Sequence, residues 1–332
     1  MNITINVVGG SGFIGSRLVE KLLINKESRV YIYDKVKSIK FANLCLGGDV
    51  RDIKKLHDSL TQNSIIVNLA AEHRDDVSPP SLYDDVNVQG AKNICLVANQ
   101  KNIQTIIFTS SVAVYGFASL GTNESGKIAP FNDYGRTKWE AEQIYKAWQA
   151  EDPQNRTLVI VRPTVVFGER NRGNVFNLLK QIASGKFVMV GDGLNRKSMA
   201  YVENVAAFLE YSMSFKPGVH IYNYIDKPDF SMNQLVGDVN KLLGRSSEIK
   251  FRMPYFVGLG IGKVFDLVAK LSGRKFPISS IRVKKFFANS VYESAISQTG
   301  FVPPVNLMDA IEKTVRFEFI EDHQHEQVFY TD

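Results

Sequence analysis

Tyr134 and Lys138, in Tyr134-Gly135-Arg136-Thr137-Lys138, open a stretch whose helical spacing runs to about Ala150. Residues four apart share a helix face, so the phenol and the ammonium can act together. A phenol titrating near ~10 is a poor base at neutral pH. A cation beside it favours the phenolate and brings that value down. Tyr31/Lys35 and Tyr33/Lys37 repeat the interval, but they straddle the end of a predicted strand. Only Tyr134/Lys138 starts a helix that follows a strand ending in hydroxyls, Gln104-Thr105-Ile106-Ile107-Phe108-Thr109 into Ser110-Ser111. The chemistry indicated is proton transfer at a hydroxyl or carbonyl.

Such a pair needs a frame, and the N-terminus supplies one. Ile3-Thr4-Ile5-Asn6-Val7-Val8 predicts a strand, and Ser16 to Leu23 repeats apolar residues at helical spacing. Between them lies Gly9-Gly10-Ser11-Gly12-Phe13-Ile14-Gly15, with two residues separating successive glycines of the set Gly9, Gly12 and Gly15. Strand, glycine turn and helix in that order open a dinucleotide-binding βαβ unit, in which a pyrophosphate approaches the backbone and the helix N-terminus. The next strand, Arg29 to Tyr33, ends at Asp34, which is placed to accept hydrogen bonds from adenosine ribose hydroxyls. A carboxylate there repels a 2′-phosphate, so NAD is expected over its phosphorylated form, with Lys35 moderating the preference.

Further segments follow the same plan. Asp49-Val50 closes a short third strand where an acidic group can receive an adenine amino group. Ser64 to Leu69 runs as a strand into Ala70-Ala71, whose small side chains admit a cofactor. Asn87 lies among apolar neighbours on a helix from about Ser81 to Gln100 and is expected to hold loop backbone. Thr157 to Arg162 is a sixth strand, followed by Pro163. Beyond Gly168 helices dominate (174–185, 202–214, 231–243, 255–271 and 306–320), with short strands at 187–190 and 219–225. The fold expected is α/β: a Rossmann-type doubly wound parallel sheet over 1–168, and a smaller, mostly helical substrate domain over 169–332 with some segments returning to the sheet.

Composition narrows the function class. Lys and Arg exceed Asp and Glu by only six charges, and the basic residues are dispersed, which disfavours nucleic acid and suits a small anionic ligand. The two cysteines, Cys45 and Cys95, sit in apolar surroundings, as expected of a cytoplasmic protein. No run reaches membrane-spanning length without charges. Met253 to Leu271 is apolar but interrupted by Lys263, Asp266 and Lys270, with Arg274, Lys275, Arg282, Lys284 and Lys285 following. Packing in the lobe or at a subunit interface is the first expectation for this helix. A weak association with an anionic membrane surface is the second.

The ordered set Gly9/Gly12/Gly15, Asp34, Asp49-Val50, Ala70-Ala71, Asn87, Ser110-Ser111, Tyr134/Lys138 and Arg162-Pro163 resembles the extended short-chain dehydrogenases/reductases of the nucleotide-sugar epimerase/dehydratase family. The resemblance spans essentially the whole chain. It implies an NAD site that also includes Phe13, Ile14 and Pro163. It makes Tyr134 the acid or base at a sugar hydroxyl, Lys138 the holder of the nicotinamide ribose, and Ser111 a hydrogen-bond partner of the reacting oxygen. It places Asn174 and Val175 on a nucleotide diphosphate and uridine, Lys197 (with Arg196 beside it) on the diphosphate, and a second arginine at Arg282. The expected partners are a UDP-sugar and a second copy of the chain. Tyr201 and Asn204 stand where this family usually has histidine and aspartate. The apolar helix with Phe276 to Arg282 is similar to members from bacterial surface-polysaccharide pathways.

The activity expected is a UDP-hexose or UDP-N-acetylhexosamine 4-epimerase, with a 4-ketosugar reductase on the same residues as the alternative. A 4,6-dehydratase of this family carries Asp-Glu after the strand-end hydroxyl, where this chain has Val112-Ala113. A steroid-type hydroxyl dehydrogenase would share Tyr134/Lys138 without needing Asn174 or Lys197. A non-enzymatic NAD sensor would not need the intact Ser111, Tyr134 and Lys138.

Overall fold

Seven parallel strands form the sheet on which the molecule is built, in the order β10-β6-β5-β4-β1-β2-β3. The computed structural model describes residues 3–24, 28–74, 77–249, 251–272, 280–323 and 325–331. The strands are β1 (Ile3–Val8), β2 (Ser28–Asp34), β3 (Cys45–Gly47), β4 (Ile65–Asn68), β5 (Thr105–Thr109), β6 (Thr157–Pro163), β7 (Val165–Phe167), β8 (Met189–Val190), β9 (Arg196–Tyr201), β10 (Gly218–Tyr224), β11 (Asp226–Ser231) and β12 (Arg252–Met253). The helices are α1 (Phe13–Ile24), α2 (Ile53–Ser59), α3 (Ser81–Tyr83), α4 (Gly90–Gln100), α5 (Asp133–Ala150), α6 (Asn174–Ala183), α7 (Val202–Tyr211), α8 (Met232–Leu242), α9 (Tyr255–Ser272), α10 (Ser280–Phe287) and α11 (Leu307–Phe319).

The sheet is covered on both faces, which is why its central strands are continuous runs of Val and Ile rather than alternating ones. Ala91, Ile94 and Val97 of α4, with Ala141, Tyr145 and Trp148 of α5, pack one face. Leu18, Val19 and Leu22 of α1, with Val205, Phe208 and Leu209 of α7, pack the other. Burying one such side chain fully contributes about 1.5–3 kcal/mol. A third core joins α6, α8 and α11 through Leu179, Ile182, Leu235, Val239, Ile311 and Val315. The sheet is therefore not confined to residues before 168: β10 pairs with β6 along its whole length, and α7 closes the core beneath it.

Two departures from the sequence reading have physical causes. The helix expected from Ser81 to Gln100 is wound as a π-helix over Asp84–Gln89, between α3 and α4. Asn87 lies on that segment, and its side chain bridges the loop after β4 to α5. A second sheet, β11-β9-β7, was not anticipated. Arg196–Tyr201 and Asp226–Ser231 lack the alternation that marks a strand, because their polar groups are buried and satisfied within the protein: Ser198 donates to Asp229, and Asp226 accepts from the Tyr201 amide and from Asn204.

Candidate functional site

The carboxyl ends of β1, β2, β4 and β5 open into one cavity of about 780 Å³, at the point where strand order reverses. Gly9, Gly12, Phe13, Ile14, Gly15, Asp34, Asp49, Val50, Ala70, Ala71, Ser111, Tyr134, Lys138, Pro163 and Asn174 all line it. Residues spread over most of the chain are thus brought together.

At one end the wall is backbone. Gly9 takes φ +79°, and a Cβ there would stand 2.6 Å from the Ala70 amide nitrogen. A Cβ on Gly15 would stand 2.5 Å from the Gly9 carbonyl, so α1 seats directly on the turn. Gly12 differs, since a Cβ there would meet only the Gly9 carbonyl, at 3.4 Å. That position faces the cavity and leaves room for a ligand against the amides of the first turn of α1, whose dipole end carries no acidic residue. Asp34 is held rigidly beside it. One carboxylate oxygen accepts from the Ser11 amide at 3.0 Å and the other from the Val36 amide at 2.9 Å. Each oxygen retains a lone pair for a ribose hydroxyl. Asp49 is committed to Arg51, two hydrogen bonds of 2.8–2.9 Å from whose guanidinium hold the carboxyl below its ordinary range. This glycine cradle and the acceptor at its edge fit a dinucleotide. Thr109, whose buried Oγ1 has no hydrogen-bond partner among the described residues, also lines the cavity.

At the far end the wall is made of side chains. Asn132 caps α5 by accepting from the Gly135 amide at 2.9 Å, which fixes where Tyr134 enters the helix. Ser111 caps the short turn Val112–Tyr115 in the same way, and its hydroxyl lies beside the Tyr134 phenol, where it favours the phenolate. Lys138 is 3% exposed, donates to the Thr109 carbonyl at 2.7 Å, and stands 6.0 Å from the centre of the Tyr134 ring. Burial pushes the Tyr134 phenol up to about 12 and the Lys138 ammonium down to about 7. Ser111 opposes the rise at Tyr134 and the negative charge of Glu142 opposes the fall at Lys138. Tyr33, of the competing Tyr/Lys intervals, is buried and donates to the Asp49 carbonyl, away from Ser111.

Glu142 is a part of this arrangement that sequence reasoning missed. It follows Lys138 by one turn, so Tyr134, Lys138 and Glu142 form a single stripe on α5. Its carboxylate is fully buried, accepts from Ser110 at 2.6 Å, and pairs with the equally buried Arg162 at 2.5–2.8 Å. Arg162 in turn donates to Tyr115 at 2.7 Å. The negative charge of Glu142 opposes the loss of the Lys138 proton. The eight-residue interval was the available signal.

The substrate residues expected from the resemblance divide. Asn174 lies on the wall, at the start of α6, while the Val175 side chain turns into the C-terminal core. Arg196 is exposed at the start of β9. Lys197 stands one layer behind the wall, donating to the carbonyl of the wall residue Ala288, and burial lowers it to about 8. The Arg282 side chain, with Arg274, Lys275 and Lys285, lies outside the described residues. Asn204 and Tyr201 are structural: Asn204 joins Asp226 to the Val305 carbonyl, and the Tyr201 hydroxyl donates to Glu169. The wall also includes Phe117 and Phe131, stacked with ring centres 4.8 Å apart, the strip Ala288–Tyr292, and Thr331, which donates to Asn171 at 2.7 Å. None of these carries a sequence signal, because tertiary contact alone brings them to the cavity.

Comparison with known proteins agrees with this geometry. The model of the NAD dependent epimerase/dehydratase family matches residues 5–223. The N-acetyl-α-D-glucosaminyl-diphospho-ditrans,octacis-undecaprenol 4-epimerase of Escherichia coli O157:H7 is 44% identical, with 100% of both chains covered. Among solved structures, the Thermotoga maritima UDP-glucose 4-epimerase with UDP-glucose superposes at a TM-score of 0.74, with 21% identity, 95% of this chain and 98% of the other. The UDP-glucuronic acid 4-epimerase of Bacillus cereus in complex with NAD gives 0.73, with 20% identity and the same coverage.

Proposed function

The chain belongs to the NAD dependent epimerase/dehydratase family, and on that footing we propose that it is a 4-epimerase of an N-acetylhexosamine carried on a diphosphate, with lipid-linked N-acetylglucosamine as its substrate. The observation that carries this reading is the phenol of Tyr134, with Ser111 and Lys138 beside it, in the same cavity as the glycine cradle. Tyr134, as phenolate, takes the proton of the 4-hydroxyl, Ser111 holds that oxygen, and Lys138 stabilises the phenolate before that transfer and again once the proton has been returned. NAD, when bound, would supply a reversible hydride acceptor at C4, which allows the centre to be inverted without net oxidation. Tyr134 then gives its proton back to the new hydroxyl. Gly9, Gly12, Gly15, Asp34, Asp49, Val50, Ala70 and Ala71 hold the cofactor in this reading. Asn87 acts indirectly by fixing the loop after Ala71.

The carrier beyond the diphosphate divides two readings. Full-length identity of 44% to an undecaprenol-linked 4-epimerase favours a polyprenyl carrier. Asn174, on the wall at a helix start, favours the UDP-sugar as second reading. The purified chain is incubated with N-acetylglucosaminyl-diphospho-polyprenol in detergent and, separately, with UDP-N-acetylglucosamine, without added cofactor. Sugars released by mild acid are then identified by NMR. N-acetylgalactosamine from the lipid substrate, absent with Tyr134→Phe, is the expected result. Conversion of the UDP-sugar alone selects the second reading. No conversion of either, with NADH consumed against a 4-ketosugar, replaces epimerisation with net reduction.

A further inference from the structure

α9 is seated on the C-terminal lobe by its glycines. Gly258 and Gly262 are buried, and a Cβ on Gly258 would stand 3.0 Å from Val190 of β8. The small residues face inward, so the large ones face out. Phe256, Ile261, Val264, Leu267, Val268 and Leu271 are all exposed, Phe256 by 74% and Leu271 by 79%. At 100° per residue they occupy one continuous arc roughly 140° wide. Lys263 and Lys270 project along one border of that arc. The only acidic residue of the helix, Asp266, is turned away from it and accepts from the Ser280 amide at the start of α10, at 3.2–3.3 Å. Among the described residues no helix is long and apolar enough to cross a membrane.

A wide apolar arc bordered by lysines, on a helix that cannot span, has the form of an element lying in the plane of a bilayer interface. A second copy of the chain is a poorer occupant, since it would set lysine borders against each other while Asp266 is engaged within its own chain. We propose that the outward face of α9 docks this protein on an anionic phospholipid surface. The position of the helix connects this docking with the site. Tyr255 of α9 packs on Phe287 of α10, ring centres 4.4 Å apart, and the chain leaving α10 is the cavity wall Ala288–Tyr292. The docked helix thus holds the substrate end of the cavity beside the membrane in which a lipid-linked sugar diphosphate resides. The docking itself is independent of the sugar chemistry.

The test is flotation of the full, substrate-free chain with vesicles of phosphatidylcholine, with and without phosphatidylglycerol. The expected results are flotation with the anionic vesicles, weakening as salt is raised, and partitioning at least about tenfold weaker in Val264→Glu/Leu271→Glu. Because no substrate is present, failure here leaves the epimerase assay informative, and failure there leaves this one so. Absent flotation, binding indifferent to lipid charge, or equal flotation of the variant overturns the proposal. So does a wild-type dimer that the variant dissociates in light scattering, since that face is then covered by a second copy.

Discussion

At the end of the cavity proposed for NAD the wall is main chain: a glycine turn, the amides that open α1, and a carboxylate pinned by two backbone N–H groups. At the end proposed for the sugar it is side chain, assembled from Ser111, Phe117, Phe131, Tyr134, Ala288–Tyr292 and Thr331. A main-chain wall tolerates few changes because every atom is shared with the fold. A side-chain wall can be rebuilt residue by residue while the sheet beneath it stays. The two ends should therefore fail differently when altered, and the differences run from chemistry to cofactor binding to substrate binding.

The largest effect is expected at the proton-transfer residues. Tyr134→Phe removes the acid–base group and should lower kcat by about 10²–10⁴-fold, with NAD affinity unchanged. Retention of more than about a tenth of the activity would falsify the assignment of Tyr134. Lys138→Met tests the pair by pH. Loss of the ammonium leaves the phenolate unsupported, so the Tyr134 pKa rises and the acidic limb of the kcat profile moves to higher pH. A profile that only scales down, with no shift, assigns Lys138 to cofactor holding alone.

A sharper contrast lies within the glycine turn. Gly15→Ala places a methyl 2.5 Å from the Gly9 carbonyl and 2.6 Å from Gly10 Cα, so α1 must shift. Overpacking of this kind costs about 1–3 kcal/mol, read as a lowered Tm together with weakened NAD binding. Gly12→Ala meets only one atom, at 3.4 Å, and should leave Tm unchanged while weakening NAD binding. Calorimetry of NAD binding beside thermal unfolding separates the two. Equal Tm losses would mean that Gly12 serves the fold and not the ligand.

How much of this could be read from the chain follows the same division. Gly9, Gly12 and Gly15 were legible from their spacing between a strand and a helix, and Asp34 from ending the next strand, although its carboxylate accepts from the Ser11 amide 23 residues away. Tyr134 and Lys138 were legible from their spacing too, and the strand ending at Ser111 supplies the context that excludes Tyr33 and Lys37. The parallel sheet was legible from its apolar runs. Glu142 escaped notice because its role depends on Arg162, twenty residues on and across a strand, although its helical interval from Lys138 was visible. Phe117, Ala288–Tyr292 and Thr331 could not be found at all, since nothing in their local sequence marks a residue that reaches the cavity through tertiary packing. Lys197 was singled out only through the family resemblance; its strand was not anticipated, and its depth relative to the wall depends on the Ala288 carbonyl, 91 residues away.

Lys197 supplies the smallest and most discriminating test of the sugar end. Its ammonium is held at the Ala288 carbonyl, and Ala288 lies on the cavity wall. It can therefore act on a diphosphate by charge, or merely hold the wall in place. Burial lowers its pKa to about 8, so the cation is present at neutral pH and is lost as pH rises through that value. If the charge acts on the diphosphate, KM for the wild type should climb as pH passes about 8, with kcat little changed. Lys197→Met keeps most of the side-chain volume but carries no charge. It should raise KM at neutral pH by about tenfold or more, as expected for loss of one charged hydrogen bond, and should abolish the rise near pH 8. If Lys197 only props the wall, Lys197→Met should lower Tm and perturb kcat and KM together, and the wild-type KM should show no rise near pH 8 that the variant lacks. That outcome would remove Lys197 from the substrate site and leave Asn174, at the head of α6, as the diphosphate contact to examine.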